Sequence, residues 1–427
     1  MAYINNNKIK GLGGIKRAYL NNTLIFQSFK KDEEVISPYG ITSTFNVTST
    51  TSPTTLCYSS STSSFTEMYV DNMQISPTSA YTFSSTGEHT VNYMFVDKTT
   101  IGDYTYKSCS GLTSVDIGNG VTTIGDYAFQ NCSGLTSVTI PSSVINISGN
   151  AFYNTPFYNN LPNGDVYLGG CYYKYKGTMP RNTSITIKDG TKSISTDAFY
   201  NCSGLTSIDI PSSVISIGGR AFQNCIGLTS IEIPSSVPSI GTYAFCDCSS
   251  LTSVTIPNSV KSIGDNAFYK CSGLTSITIP SSVTSIGGSA FYDCASLTAI
   301  TLPQNLSSNI GNNTFAGCTS LTEIVIPDSV PSINGNAVFT GCTSLQKITI
   351  GSGVTSIGIN SGFFGNSIFD GCTSLTEITC LATTAPTLLT KSIQGIENNN
   401  GVLYVPQGSD YSTWTSILTT WTIQYLT

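Results

Sequence analysis

Side chains able to do catalytic work are scarce in this chain. Among 427 residues there is one histidine, His89, on a strand-like run near the start. No Ser-His-Asp or Cys-His arrangement is therefore available to the repeats that fill most of the chain. Two carboxylates can hydrolyse glycosides without a histidine, and the strand-face acids are Asp116, Asp209, Glu232, Glu323 and Glu377. Only Asp209 and Glu232 reach neighbouring repeats. At about 5 Å apart in the open, they suit a solvated face better than a pair sharing one proton. Gly11-Leu12-Gly13-Gly14 is no phosphate loop, because no Gly-Lys-Ser/Thr follows. The expectation is binding, with no catalytic residue and no cofactor.

The 14 cysteines suggest a disulfide framework until they are placed. From Cys109 through Cys132 and Cys202 to Cys372 they recur at one position of a repeat, and Cys380 replaces a strand isoleucine. Cysteine packs as a small hydrophobe, and stacked side chains point in parallel rather than at each other. A column of free thiols is expected. No CxxC pair exists, and Cys246-Asp247-Cys248 is a poor metal candidate, so no metal is expected. Cys57 and Cys171 stand outside the column without a role.

The elements that must position these residues come from a repeat. Leucines at 205, 228, 251, 274 and 297 mark a period of 23 residues, the signature of a solenoid. In the copy from Leu274, Leu274, Ile277 and Ile279 alternate with polar residues, as in a strand with one buried face. Pro280 ends that strand, Val283 and Ile286 form a second apolar piece, and Ala290, Phe291 and Cys294 plug the centre. One coil loses more to chain ordering, at about 1–2 kcal/mol per residue, than its eight or so apolar side chains return. Only stacking provides a roof and a floor. About eleven coils spaced roughly 4.8 Å apart would make a rod on the order of 50 Å long.

The pattern L-T-S-I-x-I-P-x-S-V-x-S-I-G-x-x-A-F-x-x-C resembles the BspA-type, or Treponema pallidum type, leucine-rich repeat over about 112–380. That resemblance implies a bacterial surface or host-interaction protein, in several cases an adhesin, that binds rather than catalyses.

The expected fold is mostly β, with four segments. Residues 1–30 read as a β attachment module, with Ile15–Leu20 and Leu24–Phe29 flanking Asn21-Asn22-Thr23 as a hairpin. Its residues Lys16, Arg17, Tyr19, Leu20, Asn22, Leu24, Ile25 and Phe26 resemble short N-terminal modules of phage virion proteins. Residues 31–98 carry short strand-like runs at about 10-residue spacing and resemble an Ig-like or PKD-like β-sandwich. Residues 99–380 are the solenoid, with an insert at 153–177 whose Val166–Leu168 and Cys171–Tyr175 form a hairpin. Residues 381–427 form a cap, with Ser409 or Asp410 starting a helix that bears Trp414, Ile417 and Trp421. Charged residues are 10% of the chain and its formal charge is −6, which disfavours nucleic acid. No apolar run is long enough to span a membrane. The first twenty residues show no apolar core or cleavage motif of a leader.

Two surfaces could bind. The strand face carries columns of Thr, Ser and mixed Asp/Glu/Thr, whose hydroxyls would suit glycans or peptide backbone. A second stripe follows the buried Phe: Tyr153, Tyr200, Tyr269 and Tyr292. Tyr167, Tyr172, Tyr173 and Tyr175 of the insert hairpin add a local aromatic patch. With Asp209 and Glu232, these tyrosines are the candidate binding residues. The expected function is non-enzymatic recognition or adhesion, directed at a protein or glycan of a host or cell surface. The expected place is a phage virion, with contacts to other virion proteins through residues 1–30 and homo-oligomerisation as an option. The alternatives are a bacterial cell-surface adhesin whose leader lies upstream of Met1 and, third, a glycan-active enzyme.

Overall fold

In the coil that starts at Leu274, the strand Ser276–Thr278 pairs in parallel with Ala299–Thr301, and Ser285–Ile286 pairs in parallel with Ser262–Ile263. All pairs are offset by the same 23 residues, so every side chain lies over its counterpart. Leu274, Ile277, Ile279, Val283, Ile286, Ala290, Phe291 and Cys294 are all buried; the larger of them contribute roughly 1.5–3 kcal/mol each. Gly287 is demanded by the next turn, since a Cβ there would collide with the Asp265 backbone of the preceding coil. These positions come from a computed structural model that describes residues 3–4, 7–8, 17–20, 23–27, 40–57, 65–94, 99–358, 367–389 and 392–426.

The third side of the coil is not a strand. The residue before Ala-Phe and the residue before Cys both take left-handed backbone, as at Arg220 (φ 56°) and Asn224 (φ 60°). These kinks turn alternate N–H groups toward the next coil: Arg220 N donates to Thr242 O at 3.0 Å, Phe222 N to Ala244 O at 2.9 Å and Asn224 N to Cys246 O at 2.8 Å. They also lay the phenylalanines flat on one another. From Phe199 to Phe369 successive ring centroids are 5.2–5.8 Å apart and tilted by 3–9°.

The chain forms two compact units, Met1–Val144 with Asn150–Leu161, and Ile145–Gly149 with Pro162–Thr427. In the first, Gly40–Val47 pairs antiparallel with Leu112–Ile117, the first full repeat strand, and on its other side with Gly87–Met94. Glu67–Val70 and Met73–Ile75 extend the same sheet. The segment expected as an Ig-like sandwich therefore shares a sheet with the repeat. Among the described residues of that segment, Thr54–Thr55 and Ala80–Tyr81 form a separate two-stranded piece. Arg17–Leu20 and Thr23–Gln27 pair antiparallel; Lys16, Asn21 and Asn22 lie outside the described residues.

The interruption has a local cause. Thr155 occupies the Cys place, and its Oγ1 accepts from Tyr158 N at 3.1 Å, which starts the short helix Pro156–Asn159. In the second unit Gly164–Leu168 and Cys171–Lys176 form the expected hairpin, and Cys171–Lys176 joins the column of second strands through Ser193–Ile194. The C-terminal segment adds turns rather than a separate lid: Val402–Pro406 and Thr422–Leu426 extend the parallel sheet. The solenoid has about 14 turns, against the eleven that the motif marks. The helix is only Ser412–Thr415; Asp410 Oδ1 accepts from Ser412 N at 2.9 Å, while Tyr411 holds the N-cap position. Trp414 and Trp421 are buried, their indole N–H groups donating to Pro386 O and Ile396 O. No helix among the described residues is long and apolar enough to cross a membrane.

The ring ladder makes a clear prediction. Phe268→Ala should cost about 3–5 kcal/mol in urea unfolding, and Phe268→Leu distinctly less.

Candidate functional site

The first threonine column of the strand face is occupied by bonds between coils, while Ser253 and Thr255 on the same strand are exposed. Thr229 Oγ1 donates to Thr206 O at 3.3 Å, Thr252 Oγ1 to Thr229 O at 3.1 Å and Thr298 Oγ1 to Thr275 O at 3.0 Å. Each of those carbonyls also accepts the backbone N–H of the same threonine. A second hydroxyl column does the same further on: Ser259 Oγ donates to Val237 O at 2.8 Å, Ser329 Oγ to Leu306 O at 2.8 Å, and Ser236 Oγ to Val214 O. These threonines and serines hold one coil to the next, and their donor hydrogens do not face outward.

The thiol column follows the same rule on the inside. Cys225, Cys248, Cys271, Cys294, Cys318 and Cys342 donate S–H to the phenylalanine carbonyl of the preceding coil at 3.1–3.2 Å. None of the 14 cysteines is in a disulfide, and all are buried. Cys171 sits in register with Ser193 of the second-strand column, and Cys57 Sγ donates to Thr78 O at 3.7 Å. Burial pushes the Cys202 thiol up to about 12 and that of Cys171 to about 11.

The third side carries the exposed rings. In the first unit Tyr153 is 55% exposed, and Tyr104 stacks on Tyr127 at 5.4 Å with Lys107 Nζ 5.0 Å from its centroid. In the second unit Tyr200 is 45% exposed. Tyr269 and Tyr292 stack at 4.7 Å with a 6° tilt, and Arg220 lies over Tyr243 at 5.5 Å. Tyr104, Tyr127 and Tyr243 are not in the post-Phe stripe. They occupy the left-handed position before Ala or its equivalent, where a side chain points out, and their recurrence there is the signal that would have found them. Beside Tyr269 and Tyr292 stand Asp247, Lys270 and Asp293 on three successive coils; burial raises the Asp293 carboxyl, an effect Lys270 partly offsets.

The insert hairpin corrects one expectation. Tyr172 and Tyr173 are fully buried, so neither ring can meet a partner. Tyr172 heads the ring ladder, 4.6 Å from Phe199, and its hydroxyl donates to Asp165 Oδ1 at 2.9 Å. Tyr173 donates to Gly149 O at 3.1 Å. The strand alternation that exposes alternate residues gives way here because this strand lies inside the column. Tyr167 and Tyr175 are half-buried, with Lys188 Nζ 4.3 Å above Tyr167. Asp209 and Glu232 are exposed on successive strand faces and, among the described residues, neither carboxylate has a hydrogen-bond partner. Glu377 pairs with Lys347 at 2.6 Å.

His89 is held in a serine–histidine–aspartate line. Its Nδ1 lies 2.6 Å from Asp71 Oδ2, and its Nε2 lies 2.9 Å from Ser85 O and 3.3 Å from Ser85 Oγ. The carbonyl can only accept, so the closer contact requires a hydrogen on Nε2. The lone pair a general base needs for the Ser85 hydroxyl is then missing. Asp71 Oδ1 also accepts from Thr90 N at 3.0 Å, which makes the group a clasp between the Asp71 turn and the strand Gly87–Met94.

Stacked coils of one long and one short parallel strand, with a kinked third side around a ring ladder, define a leucine-rich repeat solenoid. The BspA type leucine rich repeat region is matched in six copies, over residues 99–162, 172–294 and 238–376, and the chain belongs to that family. A leucine-rich repeat protein from Bacteroides ovatus is similar at 24% identity, with 81% of this chain and 90% of that chain covered and a TM-score of 0.46. A leucine rich cell surface protein from Faecalibacterium prausnitzii is 27% identical over 77% of this chain and 87% of that one, with a TM-score of 0.35. The T. pallidum leucine rich repeat protein is 25% identical over 50% of this chain and 81% of that one, with a TM-score of 0.30. No curated protein matches the chain.

Two outcomes check the ladders. Thr252→Val should cost about 0.5–1.5 kcal/mol, whereas Ser253→Ala should be neutral, both by urea unfolding. The unfolded thiols of Cys171 and Cys202 ionise near 9 and the folded ones only at about 11 and about 12. Their contribution is thus fully present below pH 9 and is lost as pH rises from there toward 12. The thermal midpoint should fall over that window, and alkylation at pH 8 should label these thiols only after unfolding.

Proposed function

We propose that this is a non-enzymatic recognition protein whose solenoid offers a tyrosine-bearing edge to a protein or glycan of a cell surface. The contrast between two faces carries the reading. The strand side carries small hydroxyls, of which threonines such as Thr229, Thr252 and Thr298 are bonded to the preceding coil, whereas the kinked side of the second unit carries exposed Tyr200 and half-buried Tyr243, Tyr269 and Tyr292 among charged side chains. Aromatic rings beside charges are the groups that dominate binding energy when covered. Full-length protein should bind surface-bearing cells. Joint replacement of Tyr200, Tyr243 and Tyr292 by Ala should weaken binding at least about tenfold, with Ser253→Ala unchanged; equal binding by both variants would refute the reading.

The placement we propose is a phage particle, with residues 1–30 joining other virion proteins and the solenoid facing the host. The resemblance of residues 16–26 to virion modules supports it. Membership of the BspA type family supports the second reading, a bacterial cell-surface adhesin. Proteomics of purified particles separates them: the chain should be present in particles, and its absence there, with surface labelling on intact cells, would select the adhesin.

A further inference from the structure

Within that edge, we propose that Tyr269, Tyr292, Asp247, Lys270 and Asp293 form a ledge that binds a neutral pyranose glycan; this rests on the reading of the tyrosine edge as the recognition surface. The first support is the ring pair. Tyr269 and Tyr292 are parallel at 4.7 Å, and the coils on either side place the much shorter Cys246 and Ala316 at the same position. The pair therefore stands as a step two coils wide, with Lys270 Nζ 5.4 Å from the Tyr269 centroid at one end and the ring face of Tyr292 at the other, which suits the C–H face of a sugar.

The second support is independent of the rings. The position before Cys takes left-handed backbone throughout, and the second unit fills it elsewhere with Asn201, Asn224, Gly317, Gly341 and Gly371. Only beside the tyrosine pair does it carry charge: Asp247 (φ 58°), Lys270 (φ 56°) and Asp293 (φ 53°). Lysine is an uncommon choice for that backbone, and here its Nζ lies 5.4 Å from the Tyr269 ring centroid, so its charge is held against the ring pair. Carboxylate, ammonium and carboxylate then alternate from coil to coil. Carboxylates accept hydrogen bonds from sugar hydroxyls, and the ammonium donates to hydroxyl oxygens. With Arg220 over Tyr243 on the coil before, the row holds two negative and two positive groups and has no excess positive charge to draw sialic or uronic acids, so the glycan is neutral.

The test titrates the full chain against neutral oligosaccharides of glucose, galactose, mannose and N-acetylglucosamine, with sialylated ones alongside. At least one neutral oligosaccharide should bind, and Tyr269→Ala should weaken it about tenfold. Lys270→Gly should weaken it too while keeping or raising the thermal midpoint, because glycine relaxes a left-handed backbone; a merely structural lysine would not separate those readouts. The proposal is overturned if no neutral oligosaccharide binds at millimolar concentration, if sialylated ones bind better, or if both variants bind as the parent does. Adhesion that survives periodate treatment of the cells but is lost in Tyr269→Ala would sink the glycan and leave a protein-directed edge standing.

Discussion

A phenylalanine ring lying flat on the ring of the next coil, at 5.2–5.8 Å and with tilts of 3–9°, fixes more than apolar area. Ring-on-ring order sets the height of one coil above another, and with it the reach of every group that must bond across the gap. The Phe carbonyl meets the next cysteine S–H at 3.1–3.2 Å. The Phe N–H meets a carbonyl of the following coil at 2.7–3.0 Å, as from Phe199 and Phe291. Were the rings free to slip, neither the thiol column nor the kinked N–H ladder could keep register.

That constraint also accounts for the composition. A solenoid whose coils are joined by Thr, Ser and Cys donors has little need of ion pairs on its sides, and exposed ion pairs are worth little in any case. Charged residues accordingly make up 10% of the chain. The same economy removes threonines such as Thr229, Thr252 and Thr298 from consideration as groups for a partner, because their hydroxyls point along the axis rather than away from it.

The period and the alternation of Leu274, Ile277 and Ile279 made the coil legible before any coordinates, because stacking repeats a local pattern without long-range surprises. The cysteine column was legible for the same reason. The hidden parts depend on direction. Sequence spacing cannot say that a threonine hydroxyl turns toward the preceding coil. Nor does it show that Tyr172 and Tyr173 enter the column, since a hairpin written in isolation looks exposed. The antiparallel join of Gly40–Val47 to Leu112–Ile117 was hidden too, because pairing across 70 residues leaves no periodic trace. Tyr243 escaped notice because its column mixes tyrosine with asparagine, serine and aspartate, and only the left-handed backbone unites them.

Those left-handed positions are where structure and function meet. Every inward position of the coil is fixed by packing, and the Thr and Ser columns are fixed by the bonds between coils. The residues before Ala and before Cys are constrained in backbone but not in side chain. Glycine or asparagine would serve the fold best there, so each departure marks something the fold did not ask for. Departures occur along the whole solenoid, from Tyr104 and Tyr127 to Ser289 and Ala337, but charge at the position before Cys is confined to Asp247, Lys270 and Asp293, next to the stacked Tyr269 and Tyr292. Stacking alone gives no reason to put charge there.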